Sequence, residues 1–225
     1  VLLVAFFGLL WGIGAILFGK GIDYLGVSLS LPIMQGLINV VGTLMPVILR
    51  NPSELLTPTG LKLLTGTVII LAGIIFFAIA GHNRDSKSRQ THSETPIKKN
   101  FRKGLIICLL AGIFGPMINF AFVYGAPLQE KAVATGASSL YAANVIWSIA
   151  LSAGFIINLL ECIRLFGKNQ SWKTYRHRTT GGLIMASLAG VLWYLSIMFY
   201  GMGGSFMGVL GASVGWATMQ STAII

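Results

Sequence analysis

Amides and aromatic rings with polar tips recur inside the long apolar runs of this chain. Gln35 and Asn39 stand four apart, so they share one face of a helix. Asn144 and Ser148 do the same, with Trp147 between them. Asn119, Tyr124, Tyr194, Tyr200 and Gln220 lie in other apolar runs, and Trp11 and Trp193 sit near the middle of theirs. A polar side chain facing lipid is costly, so each should face the interior, bonded to a neighbouring helix or to a solute. As a set, amides and indoles suit a neutral polyhydroxylated solute. Amides give and accept hydrogen bonds to hydroxyls, and aromatic faces cover the apolar C–H side of a sugar ring. Tryptophan also anchors helices at the membrane surface, but Trp11 and Trp193 lie too deep for that, which leaves cavity lining or core packing.

Ionisable groups are scarce at depth. Glu161 stands three residues before Arg164 and is placed to pair with it. Glu130 lies beside Lys131 in a connection between apolar runs. These two carboxylates are the proton-coupling candidates, because proton-driven transport needs a titratable group near its site. Nothing points to an enzyme: there is no phosphate loop, no H-E-x-x-H and no G-x-S-x-G. Cys108 and Cys162 have no C-x-x-C spacing, so neither a metal site nor a disulfide framework is expected.

The runs that carry these residues define the class. Of 225 residues, 55% are apolar and 10% charged, against roughly 25% charged in a soluble domain. Stretches of about 20 uncharged residues read as membrane-spanning helices. Seven are expected, at 1–19, 26–49, 61–81, 104–125, 137–163 and 181–200, with a seventh from about 206. The net charge of +10 comes from loops, not from a nucleic-acid surface, so no nucleic-acid partner is expected. Segment 82–103 carries seven basic residues, Arg89 among them, and segment 164–180 carries five, including Lys173. With Lys20 they fall on one side of the bilayer, and only Arg50, Lys62 and Lys131 fall on the other. The positive side is cytoplasmic, so 82–103 and 164–180 are placed there.

One region repeats another. Shifted by 182 residues, Gly8, Leu10, Trp11, Gly19, Gly21, Gly26 and Val27 meet Gly190, Leu192, Trp193, Gly201, Gly203, Gly208 and Val209 without a gap. The related spans lie five apart, an odd number, so the two units must run in opposite directions through the membrane. That predicts an all-α transporter of ten helices in two inverted five-helix repeats, of which seven are present. Residues 1–81 would hold helices three to five of the first repeat. Residues 82–103 would be a cytoplasmic linker, and 104–225 helices one to four of the second. Both ends read as cut.

Leu10-Trp11-Gly12-Ile13-Gly14, Tyr24-Leu25-Gly26-Val27-Ser28, Val41-Gly42-Thr43-Leu44-Met45, Ile157-Asn158-Leu159 and Trp193-Tyr194-Leu195 with Phe199-Tyr200 resemble the bacterial L-rhamnose–proton symporter family. That family looks like a branch of the drug/metabolite transporter superfamily. The resemblance covers nearly the whole chain. It implies symport of L-rhamnose with a proton across the bacterial inner membrane by alternating access, with no cofactor beyond the proton. It also adds weight to Glu130, which falls where the family has an acid. Another small solute, or a membrane scaffold or receptor that transports nothing, are the competing readings.

Overall fold

The computed structural model describes residues 1–91, 101–172 and 180–222, and every regular element among them is helical. The first is α1 (Leu2–Leu25), an apolar helix stopped at Gly26, whose φ of 76° is a conformation glycine adopts without penalty. Next comes α2 (Val27–Arg50), which runs on through Pro32 and Pro46. A 3-10 turn (Pro52–Leu56) leads to α3 (Pro58–Thr91). Then follow α4 (Phe101–Phe114), α5 (Met117–Tyr124) and α6 (Ala126–Ala134). After them come α7 (Asn144–Asn169) and α8 (Thr180–Phe206). A second 3-10 turn (Gly208–Leu210) leads to α9 (Gly211–Thr222).

Among the described residues, six stretches are long and apolar enough to cross a membrane: α1, α2, the start of α3, the α4–α6 run, α7 and α8. The run expected from about 206 appears as the 12-residue α9. The expected span 104–125 is interrupted at Gly115-Pro116. Proline has no N–H to donate, and its ring collides with the preceding turn. The span expected from 137 begins at Asn144. Gly136 takes a φ of 101°, and the chain then makes turns, with the Tyr141 N–H donating to the Ser138 carbonyl and the Asn144 N–H to that of Tyr141. Lys98, Lys99, Lys173, Arg176 and Arg178, part of the basic loop argument, lie outside the described residues.

Close approaches fix the helix directions. A methyl placed on Gly8 would lie 2.2 Å from the Ala150 carbonyl oxygen, and one on Gly12 would lie 2.7 Å from that of Gly154. Both residue numbers rise together, so α1 and α7 run the same way, backbone against backbone, as small residues allow. Gly14 meets Phe114 and Gly115, and Gly21 meets Cys108, so α4 runs against α1. Gly204 meets Gly211 and Tyr200 meets Gly215, so α8 and α9 are antiparallel.

Charge marks one end of this bundle. Lys20 Nζ lies 3.3 Å from Glu161 Oε1, and Lys103 Nζ sits 5.5 Å from the Tyr24 ring centre. Arg50 is at the other end, donating to the Val123 carbonyl at 2.8 Å. Between the ends, Val4, Ile38, Ile118, Ile146, Trp147, Ile197, Tyr200 and Trp216 form the main buried cluster. Phe6, Ile69, Phe76, Phe155, Leu160 and Phe199 are exposed. An apolar exterior of this kind suits a helix bundle surrounded by lipid.

Candidate functional site

A cavity of about 480 Å³ lies where α1, α2, α8 and α9 converge on the Gly115-Pro116 break. The break opens the space: the chain between α4 and α5 turns away there and leaves Gly115 and Ile118 as wall. Trp11 from α1 and Trp193 from α8 stack in it, ring centres 5.3 Å apart and planes 18° from parallel. Gln35 from α2 and Gln220 from α9 supply amides, and Ser196 adds a hydroxyl. The Trp216 indole also faces the cavity, but its N–H donates to the Ile38 carbonyl at 3.1 Å.

Four residues expected from their types at a binding site therefore come together: Trp11, Gln35, Trp193 and Gln220. The remaining six lie elsewhere. Asn39 is buried one turn beyond Gln35 and accepts from the Thr43 hydroxyl at 3.1 Å. Tyr124 stacks on Phe7 and lies under the Arg50 guanidinium. Asn144 accepts from the Tyr194 hydroxyl at 3.3 Å on the exterior. Trp147 is buried against Phe122, ring centres 5.3 Å apart. Sequence reasoning missed Ser196 and Trp216. The 182-residue offset could have found Ser196, because it is the counterpart of Gly14 on a helix whose neighbour Trp193 had already been singled out.

Asn119 has no exposed surface, and all its amide atoms are in use. Its Nδ2 donates to the Gly42 carbonyl at 2.7 Å and to the Ala212 carbonyl at 3.2 Å. Its Oδ1 accepts from the Tyr200 hydroxyl, which also lies 3.1 Å from the Ala212 carbonyl. The cause is local. Pro46 lacks the N–H that would have bonded Gly42 four residues earlier, so that carbonyl needs another donor inside the bundle. One amide thus joins α2, α5, α8 and α9 just beyond the cavity. Losing it would strand buried polar groups at about 1–3 kcal/mol each.

Neither proton candidate lines the cavity. Glu161 accepts from Arg164 Nε at 2.6 Å and Nη2 at 2.7 Å, as its spacing predicts, and it also reaches Lys20 of α1. Glu130 is exposed on α6. Among the described residues, no three His, Cys, Asp or Glu side chains gather to hold a metal ion.

Four pairs of cavity residues stand 182 positions apart: Trp11 and Trp193, Gly14 and Ser196, Ala15 and Ile197, Ile38 and Gln220. The first three of these pairs fall within the matched stretches 8–28 and 190–210.

The family model described as L-rhamnose-proton symport protein (RhaT) matches residues 1–222. An L-rhamnose-proton symporter of Yersinia pestis (strain Pestoides F) is 36% identical over 208 residues, which are 89% of this chain and 59% of the relative. An L-rhamnose-proton symporter of Mannheimia succiniciproducens is 35% identical over the same shares. The chain therefore spans less than two thirds of the length of these curated relatives. No solved structure matches it.

Proposed function

This chain belongs to the L-rhamnose-proton symport protein family, and on that premise we propose that it carries L-rhamnose with a proton across the bacterial inner membrane. The cavity is the observation that carries the reading. Its 480 Å³ falls within the roughly 300–1,000 Å³ of small-molecule sites. Stacked indoles offer faces to the C–H side of a deoxysugar, and Gln35, Gln220 and Ser196 offer partners for its hydroxyls.

The transporter is built as two inverted repeats of five helices, with 1–81 in the first, 82–103 as linker and 104–225 in the second. Support comes from direction and register. α8 is antiparallel to α9, and the α2–α9 contact runs from Ile38 with Trp216 toward Gly42 with Ala212, which makes those helices antiparallel too. α1 precedes α2 in a hairpin, so α1 and α8 point in opposite directions although their sequences match. The stacked tryptophans and the paired cavity walls are what a two-fold axis through the cavity produces, because residues beside such an axis meet their own counterparts. The two repeats rock about this site, and it faces each side of the membrane in turn.

The Lys20 end, with segments 82–103 and 164–180, is cytoplasmic. Of the two carboxylates, Glu161 is the one whose protonation changes a contact between helices, because it releases Lys20 of α1 from α7. L-rhamnose-dependent alkalinisation of the medium by cells expressing the protein at the relatives' full length tests the reading. Proton uptake driven by another solute, and not by L-rhamnose, would move the substrate and keep the class. Absence of flux for every solute would favour a scaffold.

A further inference from the structure

A second chamber lies beyond the first. It measures about 270 Å³ and is bounded by Pro46, Arg50, Phe122, Gln129 and Ser205. The order of residues along four helices shows what separates the two. On α2, Gln35 and Ile38 face the cavity, Gly42 follows, and Pro46 and Arg50 face the second chamber. On α5 the order is Ile118, Asn119, Phe122, and on α8 it is Ile197, Tyr200, Gly204. The antiparallel α9 reads in reverse, from Trp216 to Ala212. The middle members Gly42, Asn119 and Tyr200, with Ala212 at the edge of the second chamber, are the four residues joined through the Asn119 amide. Phe122 and Trp147 stack beside them, each against the Tyr200 ring.

We propose that this hydrogen-bonded layer is the gate between an entry vestibule and the sugar site, and that Asn119 and Tyr200 are gating residues which hold it shut in the conformation described. The inference rests on the transport reading given above. Two further observations point to a second arrangement of the layer. Ser213 Oγ and Trp147 Nε1 are buried without a hydrogen-bond partner, one beside Ala212 and the other against Gly201. Buried polar groups are nearly always paired, so these two are available to take a partner when the layer parts. The layer is also held by ties that can be exchanged. It has no ion pair among the described residues, and two of its four tied groups are main-chain carbonyls that water or a sugar hydroxyl can satisfy.

The vestibule has the chemistry to receive a polyol. Gln129 Oε1 lies 3.5 Å from Ser205 Oγ, and the Arg50 guanidinium and the Asn51 amide stand across from them. A sugar arriving there meets donors and acceptors before it meets the indoles.

Thiol labelling with a membrane-impermeant maleimide, on vesicles of both orientations, tests the gate in the full-length protein. Cys162→Ser removes the exposed native thiol, and Cys108 is buried. Ser196→Cys then reports the cavity, Ser205→Cys the vestibule and Ser213→Cys the layer. At rest, Ser205→Cys is expected to react from the periplasmic face, Ser196→Cys from the cytoplasmic face and Ser213→Cys from neither. Tyr200→Phe removes one hydroxyl and keeps the ring. It should raise periplasmic labelling of Ser196→Cys about fivefold, the scale on which one hydrogen bond shifts a two-state equilibrium. L-rhamnose should make Ser213→Cys reactive while flux runs. Labelling of Ser196→Cys and Ser205→Cys from one and the same face overturns the proposal, and so does a protected Ser213→Cys during measured flux. The sidedness pattern needs neither Tyr200→Phe nor any sugar, so it decides the gate even where that variant fails to insert or L-rhamnose is not the solute.

Discussion

Tyr200 and Phe18 hold the same place in two related stretches, 182 residues apart, and they keep different company. Tyr200 is buried, its hydroxyl on Asn119 and its ring against Phe122, Trp147 and Trp216. Phe18 is half-buried and lines the cavity on the Lys20 side. The helices that carry them differ in the opposite sense, with the enclosed Tyr200 on the more exposed helix and the half-buried Phe18 on the more tightly packed one. α1 is wedged among α7, α4 and α5, with Gly8 and Gly12 pressed on a neighbouring backbone. α8 is exposed from Thr180 to Tyr194, and Gly190, the counterpart of Gly8, has nothing within 4 Å. Sequence similarity therefore does not dictate environment. On the transport reading proposed above, one sealed level and one level lining the cavity are one state of the alternating-access cycle. In the opposite state the Phe18 level would close and the Tyr200 level would part.

The comparison breaks most visibly at the glycines. Gly8→Leu is expected to abolish stable insertion, because even a methyl there would overlap the Ala150 carbonyl, and overpacking costs about 1–3 kcal/mol or more. Gly190→Leu in the chain described here should change the melting temperature in detergent hardly at all. In a chain of the relatives' full length it should be nearly as damaging as Gly8→Leu if a further helix covers that face as α7 covers α1. The difference between those two melting curves measures how far the repeat extends.

Next in size is Asn119→Leu, which strands the Gly42 carbonyl, while the Tyr200 hydroxyl can still donate to the Ala212 carbonyl. One stranded group places the loss at about 1–3 kcal/mol, readable as a lowered melting temperature. Phe18→Tyr, the reverse test on the open side, should leave stability within about 0.5 kcal/mol, as for most substitutions away from tight packing.

Smaller effects are expected in the cavity. Trp11→Ala and Trp193→Ala should each raise the half-saturation concentration for L-rhamnose about tenfold, and by similar factors, since a lost aromatic contact is worth about 0.5–1.5 kcal/mol. Unequal effects would mean that the sugar sits off the repeat axis. Gln35→Ala and Gln220→Ala should each raise it about fivefold, one hydrogen bond's worth, and Asn39→Ala should leave it unchanged.

How much of this was legible from the residues follows from where each signal lives. The helical class and most spans were readable, because long uncharged runs have one solution in lipid. The break at Gly115-Pro116 was not, because 104–125 reads as one span and α2 runs through Pro32 and Pro46 without breaking. The start of α7 at Asn144 was not, since Ala137–Ala143 are apolar enough for a helix and only the positive φ of Gly136 redirects them. At the site, the paired tryptophans showed in the register of the repeat. Asn119 and Gln220 could not be told apart: both are amides within apolar runs. The difference depends on Pro46, which frees a carbonyl on a helix 77 positions away in sequence. Partner choice across helices has no local sequence signature.

The most direct test of the cavity as the sugar site is protection of Ser196→Cys from alkylation by L-rhamnose in the purified full-length protein. The labelling rate should fall as the sugar is added, with a midpoint matching the half-saturation concentration for transport by the same variant. A labelling rate indifferent to L-rhamnose, in a protein that still transports it, would place the sugar elsewhere and contradict the account.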